Sequence, residues 1–372
     1  MSDATDTGRY GLSARGPDGL MVAPVLTYQP PLPQAYQPKI ALIGCGGISE
    51  YHLRAYRAMG LAIVALCDRD IARAERRRRE FFTEAEIFAD YRDVLKREDI
   101  ALVDVALHPE ERVAVMEAAL LAGKHVLSQK PFVLDLAVGR RLVALADAQG
   151  VKLAVNQNGR WAPHFSYLSA AIQAGVIGEV ASVDFTLQWD HTWTAGTPFE
   201  DIHHLVLLDF GIHWFDIAAR FMAGRKPTRV WASVQRTEFQ QMKPPMLGHV
   251  AIDYPGAQVR MNFNGHVRDG QEDRTVVCGR RGTLRSFGPS LSEQTVVVHS
   301  AGGQATVPLA GSWFSSGFQG AMGELLCAIE EQREPTHNAR HNLDSLALSF
   351  AALASADSGE PQVPGRVMRM AK

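Results

Sequence analysis

Residues 39–59, "KIALIGCGGISEYHLRAYRAM", leave few folds open to this chain. A short apolar run of buried-strand type meets a glycine turn, and helical spacing starts at once beyond it. The same alternation then repeats. "LAIVALCD" (61–68) reads as the next strand and Ile71–Phe82 as the next helix. "IALVDVAL" (100–107) and "KHVLSQ" (124–129) are further strands around a helix at 110–122. A helix at 135–149 closes on Gly150, and "KLAVNQN" is one more strand. Strands alternating with helices at this spacing predict a doubly wound parallel sheet.

The pattern changes after residue 160. One helix (about 163–174) ends at Gly175, and strand-like runs follow at 181–190, 229–238, 248–254, 257–266, 274–286 and 294–299. "DYPGAQ" between two of them reads as a hairpin turn. Helices are expected at 205–222, 316–331 and 342–356. Consecutive strands with segregated helices predict an α+β domain with an open, mostly antiparallel sheet. The expected division is an extended or disordered arm over 1–37, a dinucleotide-binding domain over 38–157 and a substrate-binding and oligomerisation domain over 158–372. The arm is rich in Gly and Pro and ends in "YQPPLPQAYQP", which suits a segment lying across a partner subunit.

The formal net charge of −2 gives no reason to expect nucleic acid or a membrane surface as partner. The run Arg76–Arg79 has acidic neighbours and reads as a solvated helix face. Cysteines 45, 67, 278 and 327 are scattered without a CxxC pair, against a zinc site or a disulfide framework. That usage fits a reducing, cytoplasmic location. No apolar run approaches the ~20 residues that span a bilayer.

In "IGCGGIS", Gly44, Gly46 and Gly47 allow a tight turn and let a pyrophosphate approach backbone N–H groups at the helix start, beside Ile48. The third position of G-x-G-x-x-G is Ser49. Asp68 ends the second strand, where a carboxylate can accept from ribose hydroxyls and repel a 2′-phosphate. NAD is therefore the expected cofactor, with NADP possible through the neighbouring Arg69. "HVLSQKPF" puts Lys130 at another strand end, the edge where such sheets bind ligands. On its own Lys130 reads as a surface lysine.

Four elements, in order, resemble the glucose–fructose oxidoreductase/inositol dehydrogenase/MocA family: "IGCGGIS", "AGKHVLSQKP", "NQNGRWAP" and "DFGIHWFD". "GEV" at 178–180 fits as well, and the likeness runs from Lys39 to about residue 363. It implies a two-domain NAD(P)-dependent oxidoreductase acting on a sugar or polyol, assembled as a homodimer or homotetramer through the second sheet. It also implies that Lys130, Asp209 and His213 face the reacting carbinol, with His108, Gln129 and Asn158 along the cofactor. Gln129 stands where the family has glutamate before the lysine, and Val113 where a histidine is common.

Read as a helix, 207–221 is largely apolar, and Asp209, His213 and Asp216 at i, i+4 and i+7 fall on one face. Asp209 would then hold His213 and raise its basicity, and His213 would take the hydroxyl proton while Lys130 stabilises the oxygen. Asn156, Arg160 and Trp161 at the domain junction offer donors and a stacking face for a polyhydroxylated substrate. "QWDHTWTAGTPFEDIHH" (188–204) adds Trp189, His191, Trp193, Asp201, His203 and His204 in a loop. His203, His204 and His213 lack zinc-ligand spacing, so no metal is expected. Two other classes fit the same residues less directly. One is a lyase, glycosidase or epimerase that recycles tightly held NAD. The other is a non-catalytic NAD sensor, against which the joint presence of Lys130, Asp209 and His213 speaks.

Overall fold

The structure, a computed structural model, describes residues 19–370. The first sheet contains β1 (Lys39–Ile43), β2 (Ala62–Cys67), β3 (Glu86–Phe88), β4 (Ile100–Val105), β5 (His125–Gln129) and β6 (Leu153–Asn156). All its pairings are parallel, in the order β3-β2-β1-β4-β5-β6. The connecting helices are α1 (Ser49–Ala58), α2 (Ile71–Phe81), α3 (Tyr91–Leu95), α4 (Pro109–Leu121) and α5 (Leu136–Gln149). Asp70, Asp90 and Asp135 cap the N-termini of α2, α3 and α5 through their carboxylates. Strand order reverses between β1 and β4, and the crevice at their carboxyl ends is where such sheets bind ligands.

The second part contains α6 (Pro163–Gln173), β7 (Val180–Gln188), a π turn (Val206–Phe210), α7 (Ile212–Phe221), β8 (Arg229–Gln235), β9 (Leu247–Tyr254), β10 (Ala257–Asn264), β11 (Glu272–Gly279), β12 (Gly282–Ser290), β13 (Glu293–Ser300), β14 (Gly303–Val307), α8 (Trp313–Glu330) and α9 (Ala339–Ser358). Its sheet runs β14-β13-β12-β11-β7-β10-β9-β8. Only β7 with β10 is parallel among these pairings. The β9–β10 hairpin turns at Pro255-Gly256, with Gly256 at φ +71°. The expected single strand over 274–286 is two strands, β11 and β12, folded back at Arg280-Arg281. Both flanks are β-branched and apolar, so the run reads as continuous. β3 and β14 have three and five residues, too short for a periodic signal.

The expected boundary at 157/158 does not divide the helices. Phe318, Met322, Leu325 and Leu326 of α8 are buried in one cluster with Ile40, Leu42, Leu53 and Leu66. A helix from the end of the chain therefore covers one face of the first sheet.

Residues 1–18 of the expected arm lie outside the described residues. The segment 19–37 is extended and runs over its own chain. Met21 N–H donates to Gln304 O at 2.9 Å, and Tyr167 Oη donates to Pro24 O at 2.8 Å. The Glu330 carboxylate accepts from three consecutive backbone N–H groups, those of Gln34, Ala35 and Tyr36, at 2.6–2.8 Å. Those bonds hold the Glu330 carboxyl below the usual carboxylate range. A group with a depressed folded value stabilises above its unfolded pKa, and the contribution is lost as pH falls through the folded one. Glu330→Ala should therefore speed hydrogen exchange at residues 34–36 at neutral pH. Wild type should approach the variant only once pH drops below about 4, the unperturbed glutamate range.

Candidate active site

Between β1 and α1, Gly44 has φ +100°, and a Cβ there would lie 2.7 Å from Ala106 O. Only glycine fits that turn. At Gly46 and Gly47 a Cβ would meet nothing within 4 Å. Here the absence of a side chain keeps open the space before the N-terminus of α1, as backbone binding of a pyrophosphate requires. Ser49, in the third glycine position, donates its hydroxyl to Gly46 O at 2.6 Å. Ile48 is half-buried at the helix entry.

Asp68 lies one residue beyond β2 and braces the loop. One carboxylate oxygen accepts Cys45 N–H at 2.8 Å and the other accepts Asp70 N–H at 2.9 Å. Arg69 is exposed and paired with Glu111 of α4. Arg77 corrects the reading of the basic run as a solvated face. It is buried, and it donates to Gly46 O at 3.2 Å and Ser49 Oγ at 3.1 Å while pairing with Glu80 at 2.7 Å. It shares the inner face of α2 with Ala74, three residues earlier.

Lys130 follows β5, and the Lys130–Pro131 peptide is cis. Its surroundings are set by Arg112, which the sequence did not single out. Arg112 is buried in α4 and donates to the carbonyls of Gln129 and Pro131, to Leu107 O at 2.6 Å and to Lys130 O at 3.3 Å. One guanidinium thus fixes the backbone on both sides of the lysine. Gln129 Oε1 accepts Lys130 N–H at 2.6 Å. Its amide nitrogen faces His52 Nε2 at 3.3 Å, and Asn156 Nδ2 faces the same atom at 3.2 Å. His52 Nδ1 lies 2.6 Å from Asp104 Oδ2. Two amide donors on Nε2 place the ring proton on Nδ1, facing Asp104.

Lys130 Nζ donates to both Asp209 O and Asp209 Oδ1, each at 2.9 Å. This overturns the expected Asp209–His213 pairing. The helix of 205–222 is not regular. Val206–Phe210 form a π turn in which Gly211 N–H reaches Val206 O at 2.8 Å. The wider turn shifts Asp209 off the face of His213 and towards the first domain. Glycine is required at its end, since a Cβ on Gly211 would lie 2.7 Å from Leu207 O.

The expected rise in His213 basicity is reversed as well. Burial lowers its pKa well below the ordinary value, and the Lys130 charge lowers it further. Its Nδ1 is buried with no partner among the described residues. The ring stands edge-on to Trp313, with centroids 5.4 Å apart, and Trp313 Nε1 donates to Asn158 Oδ1 at 2.9 Å.

Three residues expected to line a sugar site are committed elsewhere. Arg160 makes a two-pronged pair with Asp216 at 2.5 and 2.6 Å and donates to Thr336 O at 2.5 Å. Ser345 Oγ also donates to Asp216, at 2.9 Å. Trp161 is buried against Gly320, where a Cβ would lie 2.1 Å from its Cγ. Asn156 is fully buried on His52. His203 and His204 turn away to Asp357 of α9. Trp189 packs on Trp214 with centroids 4.9 Å apart. Trp193 is 54% exposed and donates Nε1–H to His191 Nδ1 at 3.2 Å. His191 in turn stacks on Phe210, next to Asp209, at 4.0 Å. Trp193 therefore stands on a rim beside the Asp209 turn. His108 lies exposed at the start of α4, beyond the end of β4.

Comparison with known proteins agrees with this geometry. Residues 38–157 match the model of an oxidoreductase family with an NAD-binding Rossmann fold, and residues 165–285 match the GFO/IDH/MocA C-terminal domain. A D-apiose dehydrogenase of Paraburkholderia graminis is 31% identical over 348 residues, covering 86% of this chain and 88% of that protein. The chain belongs to the Gfo/Idh/MocA family. Like its relatives, this family member is an NAD(P)-dependent oxidoreductase, and its N-terminal domain binds NAD. A myo-inositol dehydrogenase of Streptomyces leeuwenhoekii is 28% identical, covering 87% of this chain and 99% of that one. An Agrobacterium radiobacter oxidoreductase crystallised with NAD+, L-tartaric acid and magnesium shares the Gfo/Idh/MocA fold, with a TM-score of 0.79 at 24% identity. The match covers 89% of this chain and 99% of that chain.

The two kinds of glycine should separate on mutation. Gly44→Ala should lower the melting temperature, because the strain of a left-handed non-glycine residue costs ~1–3 kcal/mol and a backbone clash adds to it. Gly46→Val should melt near wild type yet bind NADH at least tenfold more weakly by fluorescence titration, a loss of about 1.4 kcal/mol.

Proposed function

We propose that the protein oxidises a carbinol of a sugar or polyol, and catalyses the reverse reduction, with His213 moving the proton and Lys130 stabilising the oxygen. The observation that carries this reading is an ammonium group anchored on Asp209 beside an imidazole kept neutral. An ammonium group has three N–H donors. Two of Lys130's are spent on Asp209, which leaves one for the substrate oxygen. The nicotinamide supplies hydride acceptance. Neutral His213 takes the hydroxyl proton at Nε2, since Nδ1 is buried. Lys130 then faces the developing alkoxide charge. Asp209 acts through Lys130 as a positioning residue. Gly46, Gly47 and Asp68 would hold the dinucleotide, with Ile48, His108, Gln129 and Asn158 along its path.

Two relatives named for D-apiose and myo-inositol support the substrate class. Trp193 on the rim offers an indole face to a sugar ring. NAD is favoured over NADP because Asp68 would repel a 2′-phosphate and Glu111 already holds Arg69. The outer face of the second sheet exposes Trp231 (37%) and Phe287 (42%), which supports self-association there.

The test is NADH formation across sugars and polyols with both cofactors. Net NADH marks a dehydrogenase, whereas turnover without it marks internal recycling. With the substrate so found, His213→Asn should lower the rate of single-turnover hydride transfer by ~10²–10⁴-fold. Lys130→Ala should lower kcat while NADH binding stays near wild type. Because the folded His213 value is depressed, the acidic limb of the oxidation profile should fall below about 6.5, the ordinary histidine pKa. Wild-type hydride transfer in a folded His213→Asn enzyme removes His213 from the mechanism. Asp68→Ala should narrow the preference for NAD. A wild type that binds NADP tenfold tighter instead would place Arg69 in control.

A further inference from the structure

His203 and His204 are consecutive residues just before the π turn, and in extended backbone their side chains would point apart. They do not. Their ring centroids lie 3.9 Å apart, and both Nε2 atoms sit 2.8 Å from the same oxygen, Asp357 Oδ1. The convergence comes from the backbone, because His204 has φ +45°, a left-handed conformation disfavoured for a residue with a Cβ. Asp357 arrives from the last turn of α9, far away in sequence.

As a hydrogen-bonded cluster this arrangement is poorly matched. One carboxylate oxygen serves two imidazoles, and no ammonium or guanidinium group joins Asp357 among the described residues. His204 Nδ1 is buried without a partner, so the packing leaves one ring nitrogen unmatched while aiming the other at Asp357. For metal ligation the same features fit. The three candidate ligand atoms lie within 4.8 Å of one another. Small rotations would bring them to the separations that ligand distances of ~2.0–2.2 Å around a tetrahedral zinc ion require. Two imidazoles select a zinc-like ion over magnesium or calcium, which prefer oxygen. The His204 side chain is 9% exposed, but His203 and Asp357 are 42% and 37% exposed, which gives an ion an entry path and water a fourth position.

We propose that His203, His204 and Asp357 bind one Zn²⁺ ion per chain, outside the catalytic site. His213 is not a member of this set. The ion would tie the loop before the π turn to α9. His204 O accepts Leu207 N–H at 2.8 Å and Leu208 N–H at 3.0 Å, so the tied residue is also the one that starts the turn carrying Asp209. The bound ion therefore reinforces the segment that anchors Lys130, without touching substrate.

The test uses the full-length chain without an affinity tag, stripped with chelator and titrated with CoCl₂, then ZnCl₂. One Co²⁺ per chain should give visible ligand-field bands that Zn²⁺ abolishes, and Zn²⁺ should raise the melting temperature. His203→Ala and Asp357→Asn should each weaken Co²⁺ binding at least tenfold. The metal-free melting temperature and NADH affinity should remain near wild type in both, since neither residue lies in the core. Failure of wild type to form a one-to-one complex overturns the site, as does a cobalt spectrum that survives in both variants. Because the readouts are spectrum and melting, they stand whatever substrate the enzyme proves to use.

Discussion

The contact between Lys130 and Asp209 joins the two halves of this protein at the site proposed for its chemistry. Lys130 comes from the end of β5 and Asp209 from the π turn that follows the β7 loop. Each is about one-fifth exposed, so the pair is partly shielded from water while open on one side. An ion pair in that setting is worth more than a surface pair, where screening and side-chain entropy leave little. Its orientation depends on what lies behind it. Arg112 fastens the carbonyls around Lys130, and Gly211 lets the chain widen so that Asp209 can reach across. Without either, the ammonium group and the carboxylate would face solvent separately.

The role proposed for His213 depends on what does not touch it. A carboxylate beside an imidazole raises its pKa. Asp209 faces Lys130 instead, and burial together with the lysine charge keeps the ring neutral. A neutral ring is the form a general base needs, and the adjacent cation suits an oxygen that becomes negative as the proton leaves. The mirror arrangement, with a charged imidazole and a solvated lysine, would begin from the wrong protonation state. Gln129 follows the same logic. Its amide donates towards His52, whose other nitrogen faces Asp104, so the side chain next to Lys130 is itself uncharged.

The features legible in the sequence were those carried by local grammar. Gly44 marks a turn, Asp68 ends a strand, and Lys130 sits before a proline. Each needs only its neighbours in the chain to be read. Features fixed by distant partners were invisible. Arg77 looked like one of four arginines on a wet face, and its burial depends on the glycine loop of another unit. Arg160 looked available for a ligand, but it is satisfied by Asp216 across 56 residues. Trp161 looked like a stacking surface, yet Gly320 of α8 leaves a notch that its ring fills. The π turn was missed for another reason. The i, i+4 rule assumes 3.6 residues per turn, and a widened turn breaks the face without changing composition.

That last failure links the fold to the chemistry. α8 returns to cover the first sheet, and α9 packs on α5 as well as α7, so the domains share two helices. The junction is therefore a packed core, and motions there must be small or involve the loops over it. The π turn is the irregular element within that junction. At its start the N–H groups of Leu207 and Leu208 donate to His204 O, and at its end Gly211 N–H donates to Val206 O. A regular helix would satisfy more backbone groups with less strain, but it would return Asp209 to the face of His213. The lysine would then lose its anchor and the histidine would gain a carboxylate. One widened turn thus gives Lys130 its carboxylate partner and leaves His213 without one, the separation on which the proposed mechanism rests.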